Sequence, residues 1–147
     1  MPGTVAVYVP LFLFPHAAPD SLVRWVIAAM LWLAGGSIYL WCLWDFATFG
    51  RGTPAPIDPP RELVVRGLYR YSRNPMYIGV ILILLGEALF FQSGRLLLYA
   101  GLFFGAANIF VVGYEEQRLR TKFGKAYEYY CRDVGRWVPG RPYRPDP

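Results

Sequence analysis

Residues 66–79, RGLYRYSRNPMYIG, decide how this chain is organised, because a basic segment turns there into an apolar one. The stretch holds three arginines and three tyrosines and changes character at Asn74-Pro75. Asn is a favoured N-cap residue, and Pro is favoured at the first helical position, where no N–H is needed. The pair therefore predicts a helix start. It is either a capped membrane helix with a positive flank or a site whose free N–H groups suit a carboxylate or phosphate.

The composition favours a membrane protein. Of the 147 residues, 55% are hydrophobic and 18% aromatic, while the formal net charge is +5. Apolar runs that alternate with concentrated basic segments are typical of small polytopic membrane proteins rather than soluble globules. Cys42, Cys131 and the one histidine, His16, form no metal-ligand spacing, so no metal site is predicted.

The apolar runs predict an all-α fold, a polytopic membrane helical bundle with a C-terminal helical hairpin and a cytoplasmic amphipathic tail. The length suits a single membrane domain over residues 1–147. Its predicted elements are a short first helix over 4–14, spans over 22–49, 75–91 and 96–116, and a cofactor-closing tail over 117–140. About 20 apolar residues are needed to cross a bilayer. The first segment is therefore either the remainder of a longer span or a helix lying on the bundle.

Small residues mark the predicted helix contacts. Gly35-Gly36, near the middle of the first span, permit a close helix approach or a kink. Gly101 and Gly105 form a GxxxG pair in the third span, which predicts a packing face, with cofactor access as the alternative.

Two carboxylates interrupt the apolar runs. Asp45 lies near the end of the first span, where it faces either the membrane interface or a polar pocket. Glu87 lies within the second span, where a hydrogen bond to a neighbouring helix is the expected role. A charge at that depth is also a functional hypothesis by default.

Charge placement predicts the topology. Of fifteen Lys and Arg residues, five lie between positions 51 and 73 and eight between positions 118 and 144. By the positive-inside rule both clusters are cytoplasmic. The turn over residues 92–95 is so short that the second and third spans form an antiparallel hairpin. Their open ends then meet on the cytoplasmic side.

The hairpin geometry predicts a polar constellation at the cytoplasmic face. Arg73, Asn74 and Tyr77 stand at the start of one helix, and Glu115 and Glu116 stand where the adjacent helix emerges. Opposite charges in such a place are either a structural ion pair or part of a binding site.

The last third of the chain predicts two further helices. One continues to about Gly124, and a second covers residues 125–132. Tyr127 and Tyr130, three residues apart, share one side of that second helix. Trp137 then returns toward the membrane as an interfacial anchor.

Four motifs in this order carry a resemblance. They are Arg-Asn-Pro-Met-Tyr-Ile-Gly at 73–79, the Glu pair at 115–116, Phe-Gly-x-x-Tyr-x-x-Tyr at 123–130 and Arg-Trp-x-Pro at 136–139. Over roughly residues 60–140 the chain resembles the isoprenylcysteine carboxyl methyltransferase and phospholipid methyltransferase family. That family usually has histidine where Asn74 stands here. Asparagine can cap and donate but does not titrate near neutrality. The departure argues against an obligatory proton acceptor at this position.

The resemblance implies an integral-membrane enzyme that uses S-adenosylmethionine in a cytoplasm-facing pocket, with a lipophilic acceptor entering from the bilayer. The cofactor-binding residues implied by position are Arg73, Asn74, Tyr77, Gly79, Glu115, Glu116, Tyr127, Tyr130 and Trp137. The implied catalytic residues are Arg136, to hold an anionic acceptor, and Glu116, as a base for an amine acceptor.

Membership of this kind predicts a membrane lipid or lipophilic small molecule as partner, with no nucleic acid and no obligate protein partner. It also predicts an integral membrane location, in a bacterial inner membrane, with the active site facing the cytoplasm. Two alternatives stay open. One is a nicotinamide-dependent membrane reductase of the sterol-reductase type, and the other is a non-catalytic module that holds anionic lipid.

Overall fold

A computed structural model describes residues 21–50, 63–140 and 142–143. The predicted helix over 4–14, His16 and most of the proline-rich loop before Arg61 lie outside the described residues.

Helices account for most of the described chain. They are α1 (Leu22–Asp45), a π-helical turn (Phe46–Gly50), a 3-10 turn (Gly67–Arg70), α2 (Pro75–Phe90), α3 (Gly94–Phe110), a second π-helical turn (Val111–Glu115), α4 (Glu116–Phe123) and α5 (Lys125–Asp133). The only extended pairing among the described residues is an isolated parallel bridge between Ser72 and Gly135. The predicted all-α membrane bundle is confirmed.

Two apolar helices are long enough to cross a membrane. They run over Leu22–Thr48 and Gly94–Phe123, each as an α-helix extended by a π-helical turn. The third apolar helix, α2, has 16 residues. At 1.5 Å per residue it is about 24 Å long, less than the roughly 30 Å of a hydrocarbon core. It begins at Pro75, where the Asn-Pro pair predicts a helix start.

The described chain divides into two compact units. Unit 1 takes in the chain up to Tyr39 together with Tyr77–Asn108, and unit 2 takes in Leu40–Met76 together with the chain from Ile109. The predicted single domain over residues 1–147 remains a prediction.

Unit 1 is held by apolar contacts between helices. Its buried centre comes from both arms of the predicted hairpin, with Val80 and Leu84 on α2 and Ala100 on α3. The partly buried side chains packed around this centre are those of Tyr39, Leu85, Tyr99 and Phe103.

The closest helix approach in unit 1 joins α1 to α2 at glycines. A Cβ added to Gly35 would lie 2.5 Å from the Gly79 carbonyl oxygen, and one added to Gly79 would lie 2.8 Å from the Gly35 carbonyl oxygen. Farther along, a Cβ on Gly86 would meet the Trp32 indole at 2.8 Å. The predicted close approach is therefore made by Gly35. In the part of the chain that the structure describes, a Cβ added to Gly36 would meet nothing within 4 Å, so this residue takes no part in the contact with α2.

The GxxxG pair makes no close helix contact among the described residues, so its predicted packing role remains a prediction. Among residues 21–50, 63–140 and 142–143, a Cβ on Gly101 or Gly105 would meet nothing within 4 Å, and both residues are exposed. The buried face of α3 consists of Leu96, Ala100 and Ala107 instead. Adjacent helical positions differ by about 100° around the axis, so residues next to the buried face point away from it. The spacing of small residues does not say which face meets a neighbour.

Unit 2 has its own core, which is aromatic. Tyr127, Tyr130 and Val134 are buried at its centre. The partly buried residues around them are Leu63, Val65, Leu119, Phe123, Cys131 and Tyr143. α4 and α5 are separated by Gly124 with φ +54°, a backbone conformation that favours glycine and ends the first helix where the sequence predicts. This break turns α5 so that both tyrosines face inward.

Candidate functional site

An ion-pair network in unit 2 joins the basic segment, the start of α4 and the C-terminal segment. Glu116 Oε1 lies 3.1 Å from Arg73 Nη1 and 2.7 Å from Arg136 Nε, and Glu116 Oε2 accepts a hydrogen bond from Arg136 Nη2 at 3.0 Å. The Glu116 side chain is 8% exposed and that of Arg73 is 12% exposed. We call these three residues the Arg73–Glu116–Arg136 network. It carries one excess positive charge in a largely buried place.

Arg136 meets the carboxylate in the bidentate geometry that is strongest for this pair. Because the hydrogen bond stabilises the charged guanidinium, it raises the pKa of Arg136 above its usual value. Arg136 therefore remains a cation over the whole physiological range.

Arg73 is held by the carboxylate and by a thiol. Its Nη1 also donates to the sulfur of Cys131 at 2.8 Å. Its Nε is buried and has no hydrogen-bond partner among the residues that the structure describes. A buried donor of this kind is costly unless something pairs with it. Arg73 therefore has donor capacity beyond what Glu116 and Cys131 use.

Backbone pairing brings the C-terminal segment alongside residues 70–74. Arg73 N donates to the Gly135 carbonyl at 3.0 Å, Gly140 N to Tyr71 at 2.9 Å, and Tyr143 N to Arg70 at 2.9 Å. A Cβ on Gly135 would lie 2.7 Å from the Val138 carbonyl oxygen, so the tight bend there requires glycine. The result is that Arg136, twenty residues beyond Glu116, returns to it.

The side chains of Ser72 and Asn74 contact the backbone of the C-terminal segment. The buried Ser72 hydroxyl lies within hydrogen-bond distance of the carbonyl oxygens of Arg136, at 3.2 Å, and Trp137, at 3.4 Å. Asn74 Nδ2 donates to the same Arg136 carbonyl at 3.2 Å. Asn74 thus donates a hydrogen bond, as expected for a residue in the histidine position. The sequence alone gives Ser72 no role, because only the paired segments show what its hydroxyl contacts.

Tyr127 and Tyr130 lie in the aromatic core of the same unit as the network. Each is 2% exposed, and the Tyr130 hydroxyl donates to the Tyr69 carbonyl at 2.5 Å. Burial raises the pKa of both phenols above their usual value, so they stay protonated. As members of the aromatic core, they stabilise the segments that carry the network.

The remaining predicted residues are distributed over both units. Glu115 and Trp137 are half-buried members of unit 2. Tyr77 and Gly79 belong to unit 1, where Gly79 serves the contact with Gly35 described above. The structure therefore brings together Arg73 and Glu116 of the predicted constellation and gives Gly79 a packing contact.

A groove of about 430 Å³ lies along the exposed face of the α4 helix and the turn before it. Its lining consists of Gly113, Tyr114, Gln117, Arg118, Thr121 and Lys122. None of these residues belongs to the Arg73–Glu116–Arg136 network. The candidate site is therefore defined by buried charge and pairing rather than by this groove.

Comparison with models of protein families identifies the family of this protein. The phospholipid methyltransferase family model matches residues 23–126, which run from α1 into α5. The chain belongs to the phospholipid methyltransferase family. Comparisons with curated proteins and with solved structures give no match.

Family membership makes the chain a membrane methyltransferase. The match includes Arg73, Asn74 and Glu116 and ends before Arg136. The last member of the network is therefore identified by its contacts and by the Arg-Trp-x-Pro motif.

Proposed function

We propose that the chain binds S-adenosylmethionine at the Arg73–Glu116–Arg136 network and transfers its methyl group to an acceptor drawn from the membrane. The observation that carries the proposal is two guanidinium groups paired with one carboxylate, beside a helix that begins at Pro75. The excess positive charge and the unpartnered Arg73 Nε suit the cofactor's carboxylate.

Glu116 acts in this proposal by holding the arginines. Both of its carboxylate oxygens accept hydrogen bonds from guanidinium groups, which makes the carboxylate a weak proton acceptor. The geometry therefore favours a positioning role over that of a base. Its neighbour Glu115 is the better candidate for the cofactor's ammonium or ribose hydroxyls.

The other predicted cofactor residues keep supporting roles in the proposal. Trp137 follows Arg136 directly, and its carbonyl oxygen lies 3.4 Å from the Ser72 hydroxyl, which fixes its backbone beside that of Arg136. Tyr127 and Tyr130 lie in the aromatic core of unit 2, where the charge of Arg73 acts on both phenols. Tyr77 and Gly79 belong to unit 1, and a cofactor role for them stays a prediction from the sequence.

Methyl transfer requires the protein mainly to position the two reactants. A methyl group on a sulfonium is already activated, so transfer requires in-line placement and a deprotonated nucleophile. The residues of this chain supply an anion site fixed by a largely buried charge network.

We infer that the acceptor is a membrane lipid or another lipophilic molecule with an amine, thiol or carboxylate group. The family's name favours a phospholipid head group over the prenylated cysteine of the related branch. The charge distribution supports a cytoplasm-facing site. We propose a bacterial inner membrane as its location. Family membership also favours methyl transfer over the reductase and lipid-holding alternatives.

Calorimetric titration of detergent-purified protein with S-adenosylhomocysteine tests the cofactor proposal. The native protein is expected to bind saturably, and Glu116→Ala is expected to lose binding by about 100-fold or more, because the two arginines then lack their common anion. Glu128→Ala, at an exposed glutamate on α5, is the matched control and is expected to bind as the native protein does. Absence of binding by folded native protein would overturn the proposal and favour a nicotinamide cofactor or an anionic lipid.

A further inference from the structure

The groove on the outside of α4, which we call the α4 groove, is a second candidate binding surface in unit 2. Its volume of about 430 Å³ lies in the range of small-molecule sites. Glu116, Leu119 and Phe123 occupy the inner face of α4, where they belong to the ion-pair network and pack on the aromatic core. Successive residues of an α-helix differ by about 100°, so Arg118 lies about 200° around the axis from Glu116. The α4 groove therefore faces away from the candidate cofactor site.

The helix that carries the α4 groove is longer than a bilayer core. The apolar helix Gly94–Phe123 has 30 residues. At 1.5 Å per residue it is about 45 Å long, against roughly 30 Å of hydrocarbon. With Gly94 at the outer surface, as the charge distribution predicts, about ten residues at the other end extend beyond the hydrocarbon. These residues begin near Tyr114 and include most of the groove lining, so the α4 groove lies at the level of the lipid head groups.

The surface of this helix changes from apolar to cationic at the α4 groove. Ile109 and Val112, just before it, are 74% and 40% exposed. The Phe110 ring contacts that of Tyr114 with centroids 5.2 Å apart. The Arg118 guanidinium lies 5.3 Å from the centroid of the Tyr114 ring and donates a hydrogen bond to its hydroxyl. Tyrosine is typical of the membrane interface, where one end of the ring is apolar and the other polar. A ligand bound here meets apolar side chains at one end and a cation at the other.

The charges of the α4 groove select an anion. Arg118 and Lys122 are one helical turn apart, both are exposed, and none of the described residues that line the groove is acidic. Both side chains are hydrogen-bond donors only, and both bind phosphate oxygens well. Because the apolar surface of Ile109 and Val112 leads directly into the groove, a phosphate that carries acyl chains fits it better than a soluble anion does.

We propose that the α4 groove binds the phosphate of an anionic phospholipid, with the acyl chains lying along Ile109 and Val112. Clusters of Lys and Arg directly beyond a membrane-spanning helix favour anionic lipids. The lipid is a bound partner and not a reactant, so this proposal does not depend on the cofactor proposal. Its binding holds α4 at the membrane surface, and with it Glu116 on the opposite face of the same helix.

Native mass spectrometry of the detergent-purified full chain tests the proposal with phosphatidylglycerol and with phosphatidylcholine of the same acyl chains. The native protein is expected to bind phosphatidylglycerol more tightly. The double variant Arg118→Gln, Lys122→Gln is expected to bind it about 30-fold more weakly, since each Lys or Arg near an anionic surface contributes about fivefold. Circular dichroism is expected to show native helix content, because both side chains are exposed.

The double variant Lys125→Gln, Arg132→Gln is the matched control, because it removes the same charge from exposed positions of α5 outside the groove. It is expected to keep native affinity for phosphatidylglycerol. An equal loss in both double variants would assign lipid binding to the overall positive charge and overturn the proposal. Equal affinity of the native protein for the two lipids would overturn it as well. Titration with inorganic phosphate, which is expected to give no saturable binding, separates the two sources of the anion: binding as tight as that of phosphatidylglycerol would assign the groove to a soluble anion instead.

Discussion

The two units of this chain are stabilised by opposite means. Unit 1 brings two helices together at Gly35 and Gly79, where backbone meets backbone and little polar chemistry is involved. Unit 2 joins distant segments through the ion pairs of Glu116 and the hydrogen bonds of Ser72. Unit 1 therefore depends on the absence of side-chain atoms at the helix contact, whereas unit 2 depends on specific hydrogen-bond donors and acceptors. Substitutions should therefore affect the two units in different ways.

The largest stability effect is expected from adding one methyl group to unit 1. Gly35→Ala places a Cβ 2.5 Å from the Gly79 carbonyl oxygen, which is backbone and cannot swing aside. We expect a loss of about 2–3 kcal/mol in the free energy of unfolding, because the helices must separate. Denaturation of the protein in mixed micelles, followed by circular dichroism, measures this.

The neighbouring glycine provides the control for that substitution. Gly36→Ala adds the same atoms where nothing lies within 4 Å. Its expected effect lies between zero and a gain of about 1 kcal/mol, from the better helix propensity of alanine. Equal losses from both variants would contradict the backbone contact as the basis of unit 1.

The next effect is expected in unit 2 from Ser72→Ala. The substitution removes the hydroxyl that lies near the carbonyl oxygens of Arg136 and Trp137. We expect a loss of about 1–2 kcal/mol of stability, since the hydroxyl is buried. S-adenosylhomocysteine should also bind several-fold more weakly, because Arg136 is less firmly placed.

Thr121→Ala is the matched control for Ser72→Ala. Its hydroxyl is exposed and bonds only to the Gln117 carbonyl of its own helix. The expected change in stability is below about 0.5 kcal/mol. A Ser72→Ala variant that resembled this control in both stability and affinity would show that the segment pairing does not need the hydroxyl.

A smaller effect, with a pH dependence, is expected from Tyr130→Phe. Loss of the hydrogen bond to the Tyr69 carbonyl should cost about 1 kcal/mol. Burial raises the pKa of Tyr130, so the native phenol remains protonated when the unfolded one ionises. Its contribution is therefore complete below about pH 10, the ordinary pKa of tyrosine, and is lost as the pH rises above that value.

Tyr129→Phe tests whether this effect belongs to the buried phenol. Tyr129 is the adjacent residue and is 53% exposed. Stability curves of both variants at about pH 7 and above about pH 10 should show a difference from native protein only for Tyr130→Phe near neutrality. A similar loss in both variants would assign the effect to the helix rather than to the hydrogen bond.

The smallest effect is expected at the GxxxG pair. Gly101→Ala and Gly105→Ala add methyl groups on an exposed face where nothing lies within 4 Å. Their stability should match the native protein or exceed it by up to about 1 kcal/mol. A loss comparable to that of Gly35→Ala, measured by the same denaturation, would show that this face is a helix contact in the membrane.

Much of the fold could be predicted from local patterns. Apolar runs identified the long helices, the Asn-Pro pair identified the start of α2, and Gly124 identified the break before α5. Each of these signals acts within a few residues, through hydrophobic periodicity, capping or a positive φ. The ion pair of Arg73 with Glu116 also followed, because a short turn forces an antiparallel hairpin whose open ends meet.

Other parts required distances between segments far apart in the chain. The helix contact turned out to use Gly35 and Gly79 rather than Gly101 and Gly105, since a spacing of small residues is the same on a buried and on an exposed face. Ser72 gained its role only when residues 134–137 were placed beside it. Asp45 could be seen as a carboxylate in an apolar run, but not as one with a buried, unpartnered oxygen beside Gly67.

The sequence by itself determined the class of this protein, an all-α membrane methyltransferase of the phospholipid methyltransferase family, and the residue types available to its site. These are properties of composition, of local order along the chain and of motif order. Only the tertiary structure decided that Arg73 and Arg136 share the carboxylate of Glu116 and that Asp45 is buried. Charge pairing and burial depend on which distant segments meet, and that is settled by packing rather than by local sequence.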